Sequence, residues 1–298
     1  MNLGEICALM CAVLWSFAVI AFRKAGDSVP PRELNLFKNT LGLALFALTV
    51  LVLQQTLWMP TTPRQLLILL FSGILGIGVA DALVLACLNS IGATRWAIVE
   101  CSYSPTVIVL SVAFLDEQFG PIQILGTGLI LLAVLLVSVG ESADEVPAAD
   151  LRRGVLIGVG AIVTMVVGIL LVKPLYDEMD LFWLSELRLV GGVLGSLLTV
   201  MLGRGLGSAV RSWKGAQNKG WQVTACVLSV YVAMFFWLMG FKHADASMAA
   251  VLNQTGTIFT VLLAVWILRE PSGWRTWTGT GLAILGVLLT QWPSIAGS

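Results

Sequence analysis

Charge is scarce in this chain. Only 11% of its 298 residues are Asp, Glu, Lys or Arg, where a soluble domain carries roughly a quarter. So few charges cannot coat a water-facing surface, which excludes a soluble fold and leaves lipid as the solvent for most of the chain. Neither sign predominates, with 17 basic and 17 acidic residues, so the basic face that a nucleic-acid partner needs is lacking. Histidine occurs once, as His243 in a short loop, and reads as solvated or interfacial rather than as a metal ligand. Five cysteines (Cys7, Cys11, Cys87, Cys101, Cys226) fall inside apolar stretches without a Cys-x-x-Cys pair, and read as small packing side chains. No Gly-x-Ser-x-Gly, His-Glu-x-x-His or phosphate-binding Gly-Lys-Ser/Thr loop occurs. The expectation is therefore no enzyme, no cofactor and no metal, with any driving force taken from solute or ion gradients. A basic segment ahead of the first apolar run is missing, as is a small-residue cleavage site after it, so residues from Cys11 to Phe22 read as part of a mature helix.

What the chain has is apolar length: 58% of it is hydrophobic and its mean hydropathy is +0.93. A helix needs about 20 mostly apolar residues to cross a bilayer. Windows of that length predict ten spans near 5–22, 34–53, 66–89, 95–114, 121–140, 153–173, 181–202, 221–241, 246–268 and 275–293. Charge or turn chemistry marks each break, as at Asp27 to Pro31, Asp116 to Pro121 and Arg204 to Gly220. Of the 11 tryptophans, all but Trp15 sit in a loop or near a predicted helix end, where an indole prefers to lie in a bilayer.

The sequence also repeats. A shift of 150 places Gly4 on Gly154, Lys38 on Arg188 and Gly42 on Gly192. A shift of 153 then places Ala93 on Ala246, Glu117 on Glu270 and Gly126-Thr127-Gly128-Leu129 on Gly279-Thr280-Gly281-Leu282. The shift changes between the second and third spans of each half, in a loop, where insertion is tolerated. Five spans per half is an odd number, so the second half must enter the membrane from the opposite side. The fold class expected is all-α integral membrane, ten transmembrane helices as two inverted five-helix repeats at 4–140 and 153–293. Such pairs enclose a midplane site and alternate its access by rocking one half on the other, which points to a transporter.

A charge at the bilayer centre costs about 2.5–3.5 kcal/mol, so each one asks for a reason. In the first half the candidates are Lys38, Asp81 and Glu100, at similar depth below one face. They can form a basic–acidic cluster, a helix-pinning ion pair or, for Lys38, a side chain that snorkels to the interface. The second half holds Glu186 and Arg188 on its second span and Asn253 and Gln254 on its fourth. Trp15, Tyr103 and Tyr231 are aromatics at helix centres, core residues by default and a cavity wall as the alternative. Glu100 is the candidate proton-titrating carboxylate, its charge state set by Lys38 and bound solute. Glu117 and Glu270 close their spans and read as structural partners of exposed helix-terminal groups. Gly73, Gly76, Gly78, Gly191, Gly192 and Gly195 read as close helix contacts.

Four features repeat a known pattern: a basic residue early in the second span of each half (Lys38, Arg188), the Gly92-Ala93-Thr94 turn, Pro105 within the fourth span, and Glu117 and Glu270 closing the fourth and ninth. On these, the chain resembles the drug/metabolite transporter superfamily, specifically EamA-like ten-helix transporters, over about 4 to 293. It departs from that pattern in having Lys38 where arginine is usual and Ile258 where Pro105 predicts a proline. The resemblance implies a central cavity lined by spans 1 to 4 and 6 to 9, with the fifth and tenth peripheral. It implies a secondary transporter in the plasma (inner) membrane without fixing the substrate; the two charge signs of the expected cavity favour export or exchange of a small polar metabolite such as an amino acid. Protons are the candidate coupling ion, and the protein is a monomer or homodimer. A lipid-linked substrate flippase shares this architecture and stands as the alternative. The resemblance places the termini in the cytoplasm, but loop charge argues the reverse. Twelve of the 17 basic residues lie in odd-numbered loops and three (Arg64, Lys173, Lys242) in even-numbered ones. The positive-inside rule then puts the termini outside.

Overall fold

The computed structural model describes residues 3–52, 59–103, 105–107, 109–110, 120–138, 147–175, 178–217, 219–243 and 252–296. Among these the regular elements are all helices, without a strand. The helices are α1 (Leu3–Ala25), α2 (Pro31–Val52), α3 (Pro63–Ile91), α4 (Ala93–Glu100), α5 (Pro121–Ser138), α6 (Ala148–Val172), α7 (Leu181–Met201), α8 (Leu206–Gly215), α9 (219–243), α10 (Leu252–Leu268) and α11 (Trp274–Ala296). Among the described residues, five stretches are long and apolar enough to cross a membrane: Leu3–Ala25, Pro63–Ile91, Ala148–Leu175, Trp183–Met201 and Lys219–Trp237. Helix bounds follow the two sequence shifts, since α2 plus 150 starts α7 at Leu181 and α5 plus 153 starts α11 at Trp274.

Local chemistry fixes the ends. Thr62 accepts from the Gln65 amide while the Gln65 side chain accepts from the Thr62 amide, and Pro63 occupies the first turn of α3. Gly92 alone parts α3 from α4, with φ +85, a left-handed conformation open to glycine. Residues 204–220, read from sequence as a loop, contain α8. There Leu206, Val210 and Trp213 share one helical edge, a period too short to register in a 20-residue hydropathy window.

Among the described residues three stretches are π-helical, with hydrogen bonds spanning five residues. Two of them, Ile74–Val79 in α3 and Val227–Ala233 in α9, begin 153 residues apart at equivalent points of the repeat. The third, Ala264–Leu268, ends α10 at Arg269, whose φ of 54 turns the chain sharply.

That turn delivers Glu270 to the start of α4. Its Oε1 accepts from the Ala93 amide and its Oε2 from the Thr94 amide, both at 2.8 Å. Arg23 Nε lies 4.0 Å from the same carboxylate. Glu270 thus satisfies two amides that a helix start leaves unpaired and sets a negative charge on the positive end of the helix dipole. Glu117, its repeat mate, lies outside the described residues. Glu270→Ala is expected to cost about 2 kcal/mol, and Glu270→Gln, which keeps an acceptor without the charge, about half as much. Thermal unfolding of the purified variants in detergent reads both, and equal midpoints for Ala and wild type would remove the capping role.

Bare backbone crossings hold the helices together. A methyl group on Gly78 would lie 2.7 Å from the Gly195 Cα, and one on Gly195 2.8 Å from the Ile74 carbonyl oxygen, so α3 and α7 touch through glycine. Gly168 of α6 meets Gly76 of α3 in the same way, at 2.9 Å. α5 and α11 pair with each other where Gly126 faces the Gly286 carbonyl. Their outer faces expose Ile124, Leu125, Leu135 and Leu285. All five cysteines are reduced and buried, and His243 ends α9 exposed.

Candidate functional site

The site begins where two helices break. Pro105 has no amide hydrogen to donate and its ring crowds the carbonyl four residues back, at Cys101. α4 accordingly stops at Glu100, and Cys101 and Ser102 donate to Ile98 and Val99, three residues back, at 3.2 and 2.9 Å. The equivalent stretch of the second half breaks too, although Ile258 stands where the proline would be. Thr255 donates both its amide and its hydroxyl to the Leu252 carbonyl, at 3.1 and 2.6 Å, and Gly256 follows. A tightened turn thus falls in both halves beside Glu100 in one, and Asn253 and Gln254 in the other.

Around these breaks lies a cavity of about 390 Å³. Its polar groups are Glu100, Tyr103, Ser185, Arg188, Ser229, Asn253, Gln254 and Thr257. The rest is apolar or aromatic, with Trp15 and Trp237 as the large flat walls. The residues come from α1, α4, the segment after α4, α6, α7, α9 and α10, and none from α5 or α11. Glu100 Oε1 accepts a hydrogen bond from Trp15 Nε1 at 3.2 Å. Arg188 Nε donates to Ser72 Oγ at 3.1 Å, and Ser72 in turn donates to the Gly168 carbonyl at 2.6 Å. Ser72 is fully buried, and a serine in an apolar run carries no signal in the sequence until its partner is known.

A second cavity of about 160 Å³ shares Trp15, Ser185, Ser229 and Met234 with the first, and adds walls from α2 and α3. Lys38 Nζ forms an ion pair here with Asp81 Oδ2. Beside it Asn35 donates to the Ile77 and Gly78 carbonyls at 3.2 and 2.8 Å and to Ser196 Oγ at 3.0 Å. Asn39 donates to Asn35 Oδ1 and Ser196 Oγ at 3.2 and 2.8 Å. Ile77 and Gly78 belong to the π-helical stretch, where carbonyls lose their usual partners, and Asn35 replaces them.

The expected cluster of Lys38, Asp81 and Glu100 therefore resolves into an ion pair and a separate carboxylate. The ammonium assigned to Glu100 from sequence goes to Asp81, and the partner of Glu100 is Trp15. The π-helical stretch carries an extra residue per turn just before Asp81, so a face assigned by 3.6-residue period is rotated beyond it. Glu186 and Tyr231 line neither cavity. Glu186 is two residues from Arg188, and such neighbours point to different sides of a helix. The Tyr231 hydroxyl meets that of Thr49 at 2.6 Å, and its ring stands edge-on to Phe46.

Apolar membrane-length helices around a cavity with a few convergent polar groups are the arrangement of a polytopic membrane protein with an internal ligand site. The chain belongs to the EamA-like transporter family, which matches residues 2–139 and 152–292, one repeat in each half. Over 88 residues it is 30% identical to the probable 4-amino-4-deoxy-L-arabinose-phosphoundecaprenol flippase subunit ArnE of Pseudomonas fluorescens, covering 27% of this chain and 76% of that one. A solved crystal structure superposes with a TM-score of 0.65 at 15% identity over 99% of this chain and 98% of the other, a likeness of fold alone.

Proposed function

We propose that this chain is a secondary transporter of the plasma (inner) membrane that exports or exchanges a small polar metabolite, an amino acid or similar zwitterion, by alternating access. The observation that carries the reading is one cavity with both a carboxylate, Glu100, and a guanidinium, Arg188, in otherwise apolar walls. A solute amine suits the first, a solute carboxylate or phosphate the second, and an apolar body the tryptophan walls. The volume suits a compact ligand, at the lower end of the ~300–1,000 Å³ of ordinary ligand pockets. Ten spans in two inverted five-helix units, 4–140 and 153–293, rock about this site. Protons couple through Glu100, and the unit is a monomer or homodimer. Proteoliposome counterflow with a metabolite mixture tests the reading. Saturable exchange supports it, and conversion of a solute to product would replace it with an enzyme.

A second reading is favoured by the similarity to a flippase subunit. A lipid-linked amino sugar carries an amine and a phosphate, which suit the same two side chains. Counterflow without soluble exchange, but with movement of a lipid-linked sugar between leaflets, would select it.

The 12-to-3 division of loop charge puts Ser298 outside the cytoplasm. A C-terminal alkaline phosphatase fusion is expected to be active. Activity confined to a cytoplasm-only reporter would reverse the orientation.

A further inference from the structure

The short helix α8 has three edges of different chemistry. Ser208 faces α2: its Oγ donates to Glu33 Oε1 at 3.1 Å, with both residues buried. Leu206 and Val210 stand exposed at 46% and 54%, and share with Trp213 an arc of about 60°. Arg211 and Lys214 occupy the next edge and are exposed. Residues 203–220 hold four basic residues (Arg204, Arg211, Lys214, Lys219) and no acidic one. An apolar edge flanked by cations is the pattern of a helix lying in a bilayer interface, and its charge complements anionic headgroups.

The contact with α2 gives this placement a consequence. Glu33 and Phe37, four residues apart, form one face of α2, and the Phe37 ring lies 3.6 Å from the ring of Trp213. The adjoining residues of α2, Asn35, Lys38 and Asn39, bind the π-helical carbonyls, Asp81 and Ser196. We infer that α8 docks on an anionic lipid surface, Leu206 and Val210 in the acyl boundary and Arg211 and Lys214 on lipid phosphates, and that this docking latches α2 against the bundle. The inference stands on the membrane setting and does not depend on which solute is carried.

Hydrogen exchange of the full-length protein in nanodiscs tests it. Phosphatidylglycerol in place of phosphatidylcholine is expected to slow exchange about tenfold in residues 206–215, and to slow residues 31–39 with it. Arg211→Gln and Lys214→Gln should each remove about fivefold of that protection while leaving exchange in phosphatidylcholine unchanged. Ser208→Ala should keep the lipid effect on α8 and weaken it on α2. Equal exchange in the two lipids would overturn the docking, as would equal protection by soluble glycerol phosphate, which marks a free anion site. Protection of α8 without α2 would overturn the latch.

Discussion

Arg188→Ala is expected to raise the half-saturating solute concentration about 10- to 100-fold, the loss of one charge-assisted hydrogen bond inside a largely apolar cavity. The fold should survive, because Ser72 keeps its own bond to the Gly168 carbonyl when the guanidinium is removed. Arg188→Lys should fall between, since the ammonium keeps the charge but loses the planar fork and its Nε bond to Ser72. Glu100→Gln provides the complementary test. Its amide oxygen can still accept from Trp15 Nε1, so the wall stays in place while the charge and the titration are lost. Transport of an amine-bearing solute should drop by a similar factor, and what remains should no longer vary with pH. Counterflow at a series of solute concentrations, read beside thermal unfolding of each variant, separates affinity from folding. Wild-type saturation in Arg188→Ala would show that the solute binds elsewhere.

How much of this was legible in the sequence depends on range. Helix positions follow from apolar length, and the bounds of α2 and α7 differ from the expected spans by only a few residues. The repeat was legible because polar and glycine matches such as Gly126-Thr127-Gly128-Leu129 recur in register. The glycines of the third and seventh spans predict close helix contacts, and Gly78 and Gly195 do meet. Partner choice was less accessible. Lys38, Asp81 and Glu100 have similar predicted depths, but depth gives no azimuth, and the π-helical stretch ahead of Asp81 changes it. The break at Thr255 had no proline to announce it, and the roles of Asn35 and Ser72 rest on carbonyls and guanidinium atoms brought in from other helices. Glu270 is the instructive opposite. A carboxylate closing a span has few uses besides a helix terminus, so its role was readable although the helix it caps lies in the other half.

Gly191→Leu should be strongly damaging, and Gly281→Ala, at another helical glycine, should be nearly silent. Any Cβ on Gly191 would overlap the Leu70 carbonyl oxygen and lie 3.0 Å from the Leu70 Cα, all backbone atoms that cannot rotate away. Relief requires α3 and α7 to separate, and these helices carry Asp81 and Arg188 and cross again at Gly78 and Gly195. Overpacking of this kind costs about 3 kcal/mol or more when no side chain can yield. Gly281 belongs to the repeated quartet, yet a Cβ there meets nothing within 4 Å, and alanine restores helix propensity worth up to about 1 kcal/mol. The pair therefore asks whether glycine serves for contact or for flexibility. Expression level, thermal midpoint and counterflow should all fall for Gly191→Leu, and Gly281→Ala should hold or raise the midpoint without changing transport. Should Gly281→Ala slow transport while the midpoint rises, helix flexibility at α11 enters the mechanism; should Gly191→Leu fold normally, the α3–α7 crossing is looser than its backbone distances require.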